Sequence, residues 1–332
     1  MNNPLITIAM PIYNVEKYVE DTLMSIMNQT YKNIEILIVD DCSTDNSLNI
    51  VTSFFLKYKI HKYDIIKHLH NRGPGAARNT AIINASGKYI YFIDSDDIIT
   101  NDCISLLYNE IFISNADFVE ASYKEIDCLT SKCIKKNKFK KCYLHDNDSV
   151  IEHFFNYAYF TSINSWNKLF RIDFLRKNNI YFMPYIYYED RLFNLKVRTI
   201  ANSCVIIPNI TYIYRNRSES ITHSLKNYTQ KNIKDMTTTI KIEKKYLMKF
   251  IYFKYFDNII ASYCLSCFYF AKAFENKNKK NDIHNYIDEL LEYPLSIKEM
   301  LLIVKHKKIL HYFCYMLSHC KYPLKVFILK VV

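Results

Sequence analysis

The stretch "NIEILIVDD", Asn33 to Asp41, is apolar almost without a break and ends in two acids. A strand with one face in water alternates apolar and polar residues. A run this continuous fits a strand covered on both faces, as parallel sheets require. The neighbouring sequence agrees. On its N-terminal side "VEKYVEDTLMSIMNQ" (Val15–Gln29) spaces Val15, Tyr18, Val19, Leu23, Ile26 and Met27 along one helical face, and "LITIAMPIY" (Leu5–Tyr13) reads as a strand. On the other side "STDNSLNIVTSFFLKY" (Ser43–Tyr58) opens with the cap candidates Ser43, Thr44 and Asp45 and continues as a helix. A third strand, "DIIKHL" (Asp64–Leu69), a helix with Pro74 near its first turn, "GPGAARNTAIINAS" (Gly73–Ser86), and a fourth strand, "KYIYFID" (Lys88–Asp94), follow. Strand–helix alternation of this kind implies right-handed crossovers and a mainly parallel, Rossmann-like sheet flanked by helices: an α/β fold.

Ligands bind such sheets beyond the carboxyl ends of the strands. Four polar loops belong there: Asn14 after the first strand, Asp40 and Asp41 after the second, Asn71-Arg72-Gly73 after the third, and Asp94-Ser95-Asp96-Asp97 after the fourth. Glycine marks the same region. The chain has three glycines in 332 residues, where average usage of about 7% would give about 23. All three, Gly73, Gly75 and Gly87, lie between positions 73 and 87. That clustering points to a place where the backbone must go where no side chain fits.

Half of the residues are hydrophobic, which fits a folded chain with a sizeable core. No basic n-region precedes the first strand, so no secretory signal is expected and a cytoplasmic protein is. The longest apolar stretch, Phe250–Phe274, is broken by Lys254 and Asp257 and reads as a buried or amphipathic helix instead of a membrane span. Ten cysteines show no metal-ligand rhythm, and Cys264-Leu-Ser-Cys267 stands without a second pair; core thiols in a reducing compartment are expected. The net charge of +11 is unevenly placed. Residues 226–332 hold 19 Lys against 9 Asp and Glu, and beyond Glu299 there are six lysines and no acid. Residues 1–225 are close to neutral. We therefore expect one folded domain over 1–225 and a helical, basic region over 226–332, whose charge suggests an anionic partner surface.

From about 115 to 225 the alternation weakens. "ADFVEASY" (Ala116–Tyr123) is a strand, and the lysine-rich "SKCIKKNKFKK" (Ser131–Lys141) is a surface excursion. Helices are expected near "SVIEHFFNYA", "RIDFLRKNN" and "YEDRLFNLKVRTIA", then two short strands at "SCVIIP" (Ser203–Pro208) and "ITYIYR" (Ile210–Arg215).

Among nucleotide sites, a dinucleotide fingerprint needs its glycines directly after the first strand, where this chain has "PIYNVEKY"; NAD binding is disfavoured, and no GK[ST] phosphate loop exists. The acids at the tip of the fourth strand repel one another and call for a cation. Hard carboxylate oxygens suit Mg²⁺ or Mn²⁺, which bind through one or two carboxylates together with substrate phosphates. A helix N-cap is the alternative for Asp97.

The segments "PIYN", "NQTYKNIEILIVDDCSTD", "NRGPGAARNTA", "GKYIYFIDSDD", "WNKLF", "YED" and "YRNRSESIT" occur in the order and spacing of the family 2 inverting glycosyltransferases of bacterial polysaccharide synthesis, which this chain resembles from about Leu5 to Thr222. The resemblance implies a GT-A nucleotide-diphospho-sugar transferase fold and a metal-dependent transfer from a nucleotide sugar, UDP-linked by analogy, to a hydroxyl of a glycan such as capsule, O-antigen or lipooligosaccharide. It implies a base pocket from Pro11, Tyr13 and Asp41, with Tyr13 against uracil, and Asn14 in the same nucleotide-binding set. Arg72, Gly73 and Arg78 face the nucleotide and its phosphates, and the glycine loop packs against the nucleotide and the metal-bearing strand. Asp94, Ser95 and Asp96 form the DxD site, with Asp96 as direct metal ligand and Asp94 toward ribose or sugar. Asp190 is the implied base with Glu189 beside it, and Trp166 belongs to the acceptor side. Arg215, Arg217 and Ser220 belong to a loop closing over the diphosphate, and His223 is either a further metal ligand or a loop histidine without a role. Cys42 stands where a small polar residue is common, which should leave the site intact.

The basic tail suits either the anionic inner leaflet, near a lipid-linked acceptor, or a solvated helical surface. Nucleic acid is not expected, because the lysines accompany no recognised motif. The non-enzyme alternative is an inactive relative serving as an assembly subunit, which would usually have lost Asp96 or Asp190; both are present.

Overall fold

In the computed structural model, the structure describes residues 3–156, 163–217, 230–247 and Lys249. Ser220, His223, the apolar stretch 250–274 with its two cysteines and the acid-free tail beyond Glu299 lie outside them. One compact unit runs from Met1 to Ser220 and a second from Ile221 to Val332. Of the second unit, the helix Gln230–Leu247 (α8) is described. No helix among the described residues is long and apolar enough to cross a membrane.

The first unit opens with the expected alternation: β1 (Ile6–Ile12), α1 (Val19–Met27), β2 (Ile34–Asp40), α2 (Ser47–Lys57), β3 (Tyr63–Lys67), α3 (Pro74–Asn84) and β4 (Tyr89–Phe92). β1 lies between β2 and β4, β2 pairs with β3, and all three pairings are parallel. The buried residues of β1, β2 and β4 pack under Val19, Leu23 and Ile26 of α1 and Val51, Phe54 and Phe55 of α2. The uninterrupted apolar runs are thus explained by cover on both faces.

After β4 come β5 (Ile98–Ile99), α4 (Cys103–Ser114), β6 (Phe118–Asp127), β7 (Cys133–Asn137), β8 (Cys142–Leu144), α5 (Asn147–Asn156), β9 (Lys168–Arg171), α6 (Ile172–Lys177), α7 (Glu189–Ile200) and β10 (Cys204–Asn216). The sheet runs β3-β2-β1-β4-β9-β6-β10-β5, with β7 beside β6 and β8 beside β10. β9 is antiparallel to both β4 and β6, so β6 and its parallel partner β10 point the same way as β1 and β4. Their carboxyl ends therefore add to the same sheet edge. This one reversed strand lets the acidic end of β4 meet the arginines at the end of β10.

Two local expectations change. The segment Ser131–Lys141 contains a strand, β7, which returns antiparallel along the upper half of β6. "SCVIIP" and "ITYIYR" are one strand, because register shifts at Ile207/Ile210 and Ile210/Tyr212 absorb Pro208 and Asn209 without ending the pairing. The crowding at the glycine loop also has a different neighbour. A Cβ on Gly75 would lie 2.8 Å from the Met183 carbonyl and 3.1 Å from Cγ of Glu189, so α3 closely approaches the start of α7 there.

Candidate active site

The four loops meet at the carboxyl edge, and side-chain-to-backbone bonds tie the first to the second and the second to the third. Asn14 has a left-handed backbone (φ 52°), and its Oδ1 accepts from the Thr44 amide at 2.8 Å and the Asp45 amide at 3.3 Å. Asp41 is 2% exposed. Its carboxylate accepts the amides of Arg72 (3.0 Å) and Gly73 (2.7 Å), and His68 Nδ1 lies 2.6 Å away. Asp41 thus holds the glycine loop in place, and a base N–H would share an acceptor already in use. Gly73 caps α3 at φ +83°, a conformation that disfavours a side chain. Sequence reasoning missed His68, which also reaches Thr80 Oγ1 at 2.9 Å; only its place at the end of the third strand hinted at it. Pro11 sits in β1 opposite Val39, and Tyr13 is 46% exposed at the rim.

Arg78 is the centre of the next group. It projects from α3 with one guanidinium nitrogen 2.8 Å from Glu189 Oε1 and 3.5 Å from Asp190 Oδ1, and the other 2.7 Å from Asp94 Oδ1. Burial alone would lower its proton affinity, yet Asp190, Asp94 and Glu189 together hold it charged more firmly than usual. The acids bear the opposite strain. Burial and the charge of Asp190 push Glu189 up to about 7 against the pull of Arg78. Burial raises Asp190 too, with Arg78 opposing and Asp94 assisting. Both acids sit in the first turn of α7, where the helix dipole favours negative charge, and the turn is entered through Tyr188 in a left-handed conformation (φ 67°). Arg72 approaches this segment from the glycine loop, its guanidinium 6.0 Å from the Tyr185 ring centroid.

The acids after β4 divide by role. Asp97 caps no helix: its oxygens accept from the Tyr212 hydroxyl at 2.7 Å and the Arg215 amide at 2.8 Å, which tie β10 to the loop. Burial, then the charges of Asp96 and Asp94, push it well above the usual carboxylate range. The buried Thr22 hydroxyl holds the same loop through the carbonyls of Ser95 and Asp97. Asp96 pairs with Arg217 at 2.6 Å and is raised by burial against that arginine's pull. Arg215 donates to the Asp96 carbonyl and pairs with Asp21 at 2.8 Å, and both arginines lie over the Tyr18 ring. Oxygens of Asp94, Asp96 and Asp97 all lie within 4.8 Å of one another. Asp97 is committed to the protein, but Asp94 and Asp96 each keep one oxygen outside these pairs. Two partly exposed hard-oxygen donors with raised or crowded carboxylates fit a divalent cation.

The structure thus brings Asp94, Arg78, Glu189 and Asp190 into one cluster, with Asp96, Arg215 and Arg217 beside it. Trp166 packs beside this group: 4% exposed, its ring stacks at 4.3 Å on Tyr212, whose hydroxyl bonds Asp97, and meets Tyr123 edge-on.

The model of glycosyl transferase family 2 matches residues 7–183, more than half of the chain and the whole series of loops from β1 through β4. The chain belongs to glycosyltransferase family 2. Glycosyltransferase GlyA of Streptococcus pneumoniae serotype 4 is 34% identical over 223 residues, which cover 65% of this chain and 31% of GlyA. The poly(ribitol-phosphate) beta-N-acetylglucosaminyltransferase TarS of Staphylococcus aureus strain MW2 is 25% identical over 314 residues, 92% of this chain and 52% of TarS. This family 2 chain therefore spans about a third of one relative and about half of the other. In three dimensions it resembles the crystal structure of S. aureus TarS 1–349 in complex with UDP-GlcNAc, with a TM-score of 0.70 at 24% identity over 94% of this chain and 88% of that one. The likeness establishes the GT-A fold for this family 2 chain.

Proposed function

We propose that the chain transfers a sugar from a nucleotide-diphosphate sugar, in its UDP form, to a hydroxyl of a bacterial surface glycan, with inversion and with Asp190 as base. One observation carries this reading: Arg78 joins Asp94, on the donor side, to Glu189 and Asp190, so the group that binds the sugar nucleotide and the group that takes the proton are held in one frame. The acceptor oxygen bonds to the anomeric carbon while the bond to the diphosphate breaks and the hydroxyl proton moves to Asp190. Burial raises the affinity of Asp190 for that proton, which suits a base. A single base on one side and a leaving group on the other give inversion. Tyr13, exposed at the rim, offers a face for the nucleoside ring. Arg217 and Arg215 lie beside Asp96, where the diphosphate would leave. A Mn²⁺ or Mg²⁺ ion held by Asp96 and Asp94 supplies, when bound, charge neutralisation for the departing diphosphate. The name of TarS, a poly(ribitol-phosphate) beta-N-acetylglucosaminyltransferase, supports a polymer acceptor. A lipid-linked acceptor reached by peripheral contact of the basic C-terminal region with the cytoplasmic membrane is consistent with the charge distribution.

The test is UDP release from a panel of UDP-sugars, with and without glycan acceptors, for the parent and Asp190→Asn. The variant should bind UDP as the parent does and lose transfer by about 10²–10⁴-fold, the range of general-base catalysis. Equal transfer by the two proteins removes Asp190 from the mechanism. Nucleotide binding without turnover in the parent would point to an inactive binding subunit.

A further inference from the structure

The lysine-rich hairpin Lys124–Lys140 stands at the catalytic edge. The upper half of β6, Tyr123–Ile126, pairs on one side with β7 and on the other with Tyr212–Arg215 of β10. On the flank taken by β7, the lower half of β6 is occupied by β9 and then by Asn167, whose amide nitrogen donates to the carbonyls of Ala121 (2.8 Å) and Ser122 (3.0 Å). β7 therefore continues directly above the segment Ile163–Asn167. The start of α7 touches that same segment, through Asn194 bonded to the Ile163 carbonyl at 2.6 Å and to the Asp190 carbonyl at 2.8 Å. The hairpin rises on the Asp190 flank of the edge.

Its charge is in excess, although Glu125 stands opposite Lys135 in the β6–β7 ladder. Residues 124–140 hold Lys124, Lys132, Lys135, Lys136, Lys138 and Lys140 against Glu125 and Asp127. Glu125 is engaged by Asn137 at 3.0 Å, and Asp127 closes its own turn through the Thr130 amide and hydroxyl. Among the described residues, no carboxylate lies within ion-pair distance of Lys135, Lys136, Lys138 or Lys140, all of which are exposed. Lys124 and Lys136 stand directly opposite each other across the β6–β7 ladder. Like charges in that position destabilise a ladder, and an anion between them would reverse the sign. A solvated surface gains nothing from concentrating this repulsion on one lip of the site.

We infer that this hairpin is the docking surface for a polyanionic acceptor, a polymer of polyol or sugar units joined by phosphodiesters, which it holds so that a free hydroxyl reaches Asp190. The inference rests on the reading of Asp190 as base and adds the acceptor's chemical class. Such a surface acts through several exposed charges, so it should be sensitive to salt and should affect acceptor affinity more than turnover.

The full chain is assayed with a fluorescent glycerol-phosphate oligomer, with dextran of equal length as neutral control and with phosphatidylglycerol vesicles. The comparison is between the parent, a variant with Lys135, Lys136, Lys138 and Lys140 changed to Glu, and one with the same four changed to Arg. We expect the Glu variant to bind the oligomer at least about tenfold more weakly, with its salt dependence reduced, and the Arg variant to bind like the parent. Dextran should bind none of them, and UDP affinity should be equal in all three, which also reports folding. Where the oligomer is glycosylated, KM should rise with kcat unchanged. Unchanged oligomer binding by the Glu variant overturns the inference, as does loss confined to the vesicles, which would mark a membrane contact. Absence of UDP-sugar turnover in the parent would count against the transferase reading alone, since oligomer binding is measured without it.

Discussion

Three carboxylates share one buried arginine, and Glu189 carries the clearest mark of that crowding. Its folded value, about 7, lies above the ordinary 4.5 because burial and Asp190 outweigh Arg78. Between those two values the folded protein holds a proton that the unfolded chain releases. The contribution to stability is therefore fully present below about 4.5 and falls as pH rises toward 7. Glu189→Gln removes this titration. Thermal unfolding should show the parent losing more stability than the variant between about pH 5 and pH 8, and parallel losses would contradict the assignment. The individual residues of this cluster were legible in the sequence as motif positions, but their union was not. Arg78 and Glu189 are 111 positions apart, and no periodicity reports that one guanidinium spans both. Asp41 teaches the reverse lesson: its motif position was clear, while its bonds to the Arg72 and Gly73 amides and to His68 depend on how the third loop folds back.

At the scale of elements, the approach of α3 to the start of α7 fixes where Glu189 and Asp190 lie. Gly75 permits it, since any Cβ there must displace the Met183 carbonyl or the Glu189 side chain. Gly75→Ala should destabilise by about 1–3 kcal/mol, as overpacking does, and lower transfer further by moving Glu189 and Asp190. Thermal denaturation and UDP release measure both effects. A change below about 0.5 kcal/mol with full transfer would show that the contact is slack. The sequence showed β1 through β4 and their helices clearly, because each is long enough to display its period and each connection is local. It did not show β9. Four residues are too few for a pattern, and the strand's identity comes from pairing with β4 and β6, which are distant in the chain. β7 was hidden by its lysines, which read as a loop because both faces of that strand are exposed.

For the molecule as a whole, one antiparallel strand, β9, joins two parallel groups so that all their carboxyl ends face one edge. The four polar loops come from the β3-β2-β1-β4 group, and Arg215 and Arg217 come from the end of β10 in the other. The account rests on that edge binding a sugar nucleotide together with a divalent cation at Asp94 and Asp96. Calorimetric titration of UDP-GlcNAc into the full chain, with Mn²⁺ present or chelated, tests this most directly, in parallel with Asp96→Ala. The parent should bind in a metal-dependent manner, and Asp96→Ala should lose about tenfold or more of that affinity, the scale seen when support for a bound metal is removed. Binding that is absent in the parent under both conditions, or equal in the two proteins, would contradict the assignment.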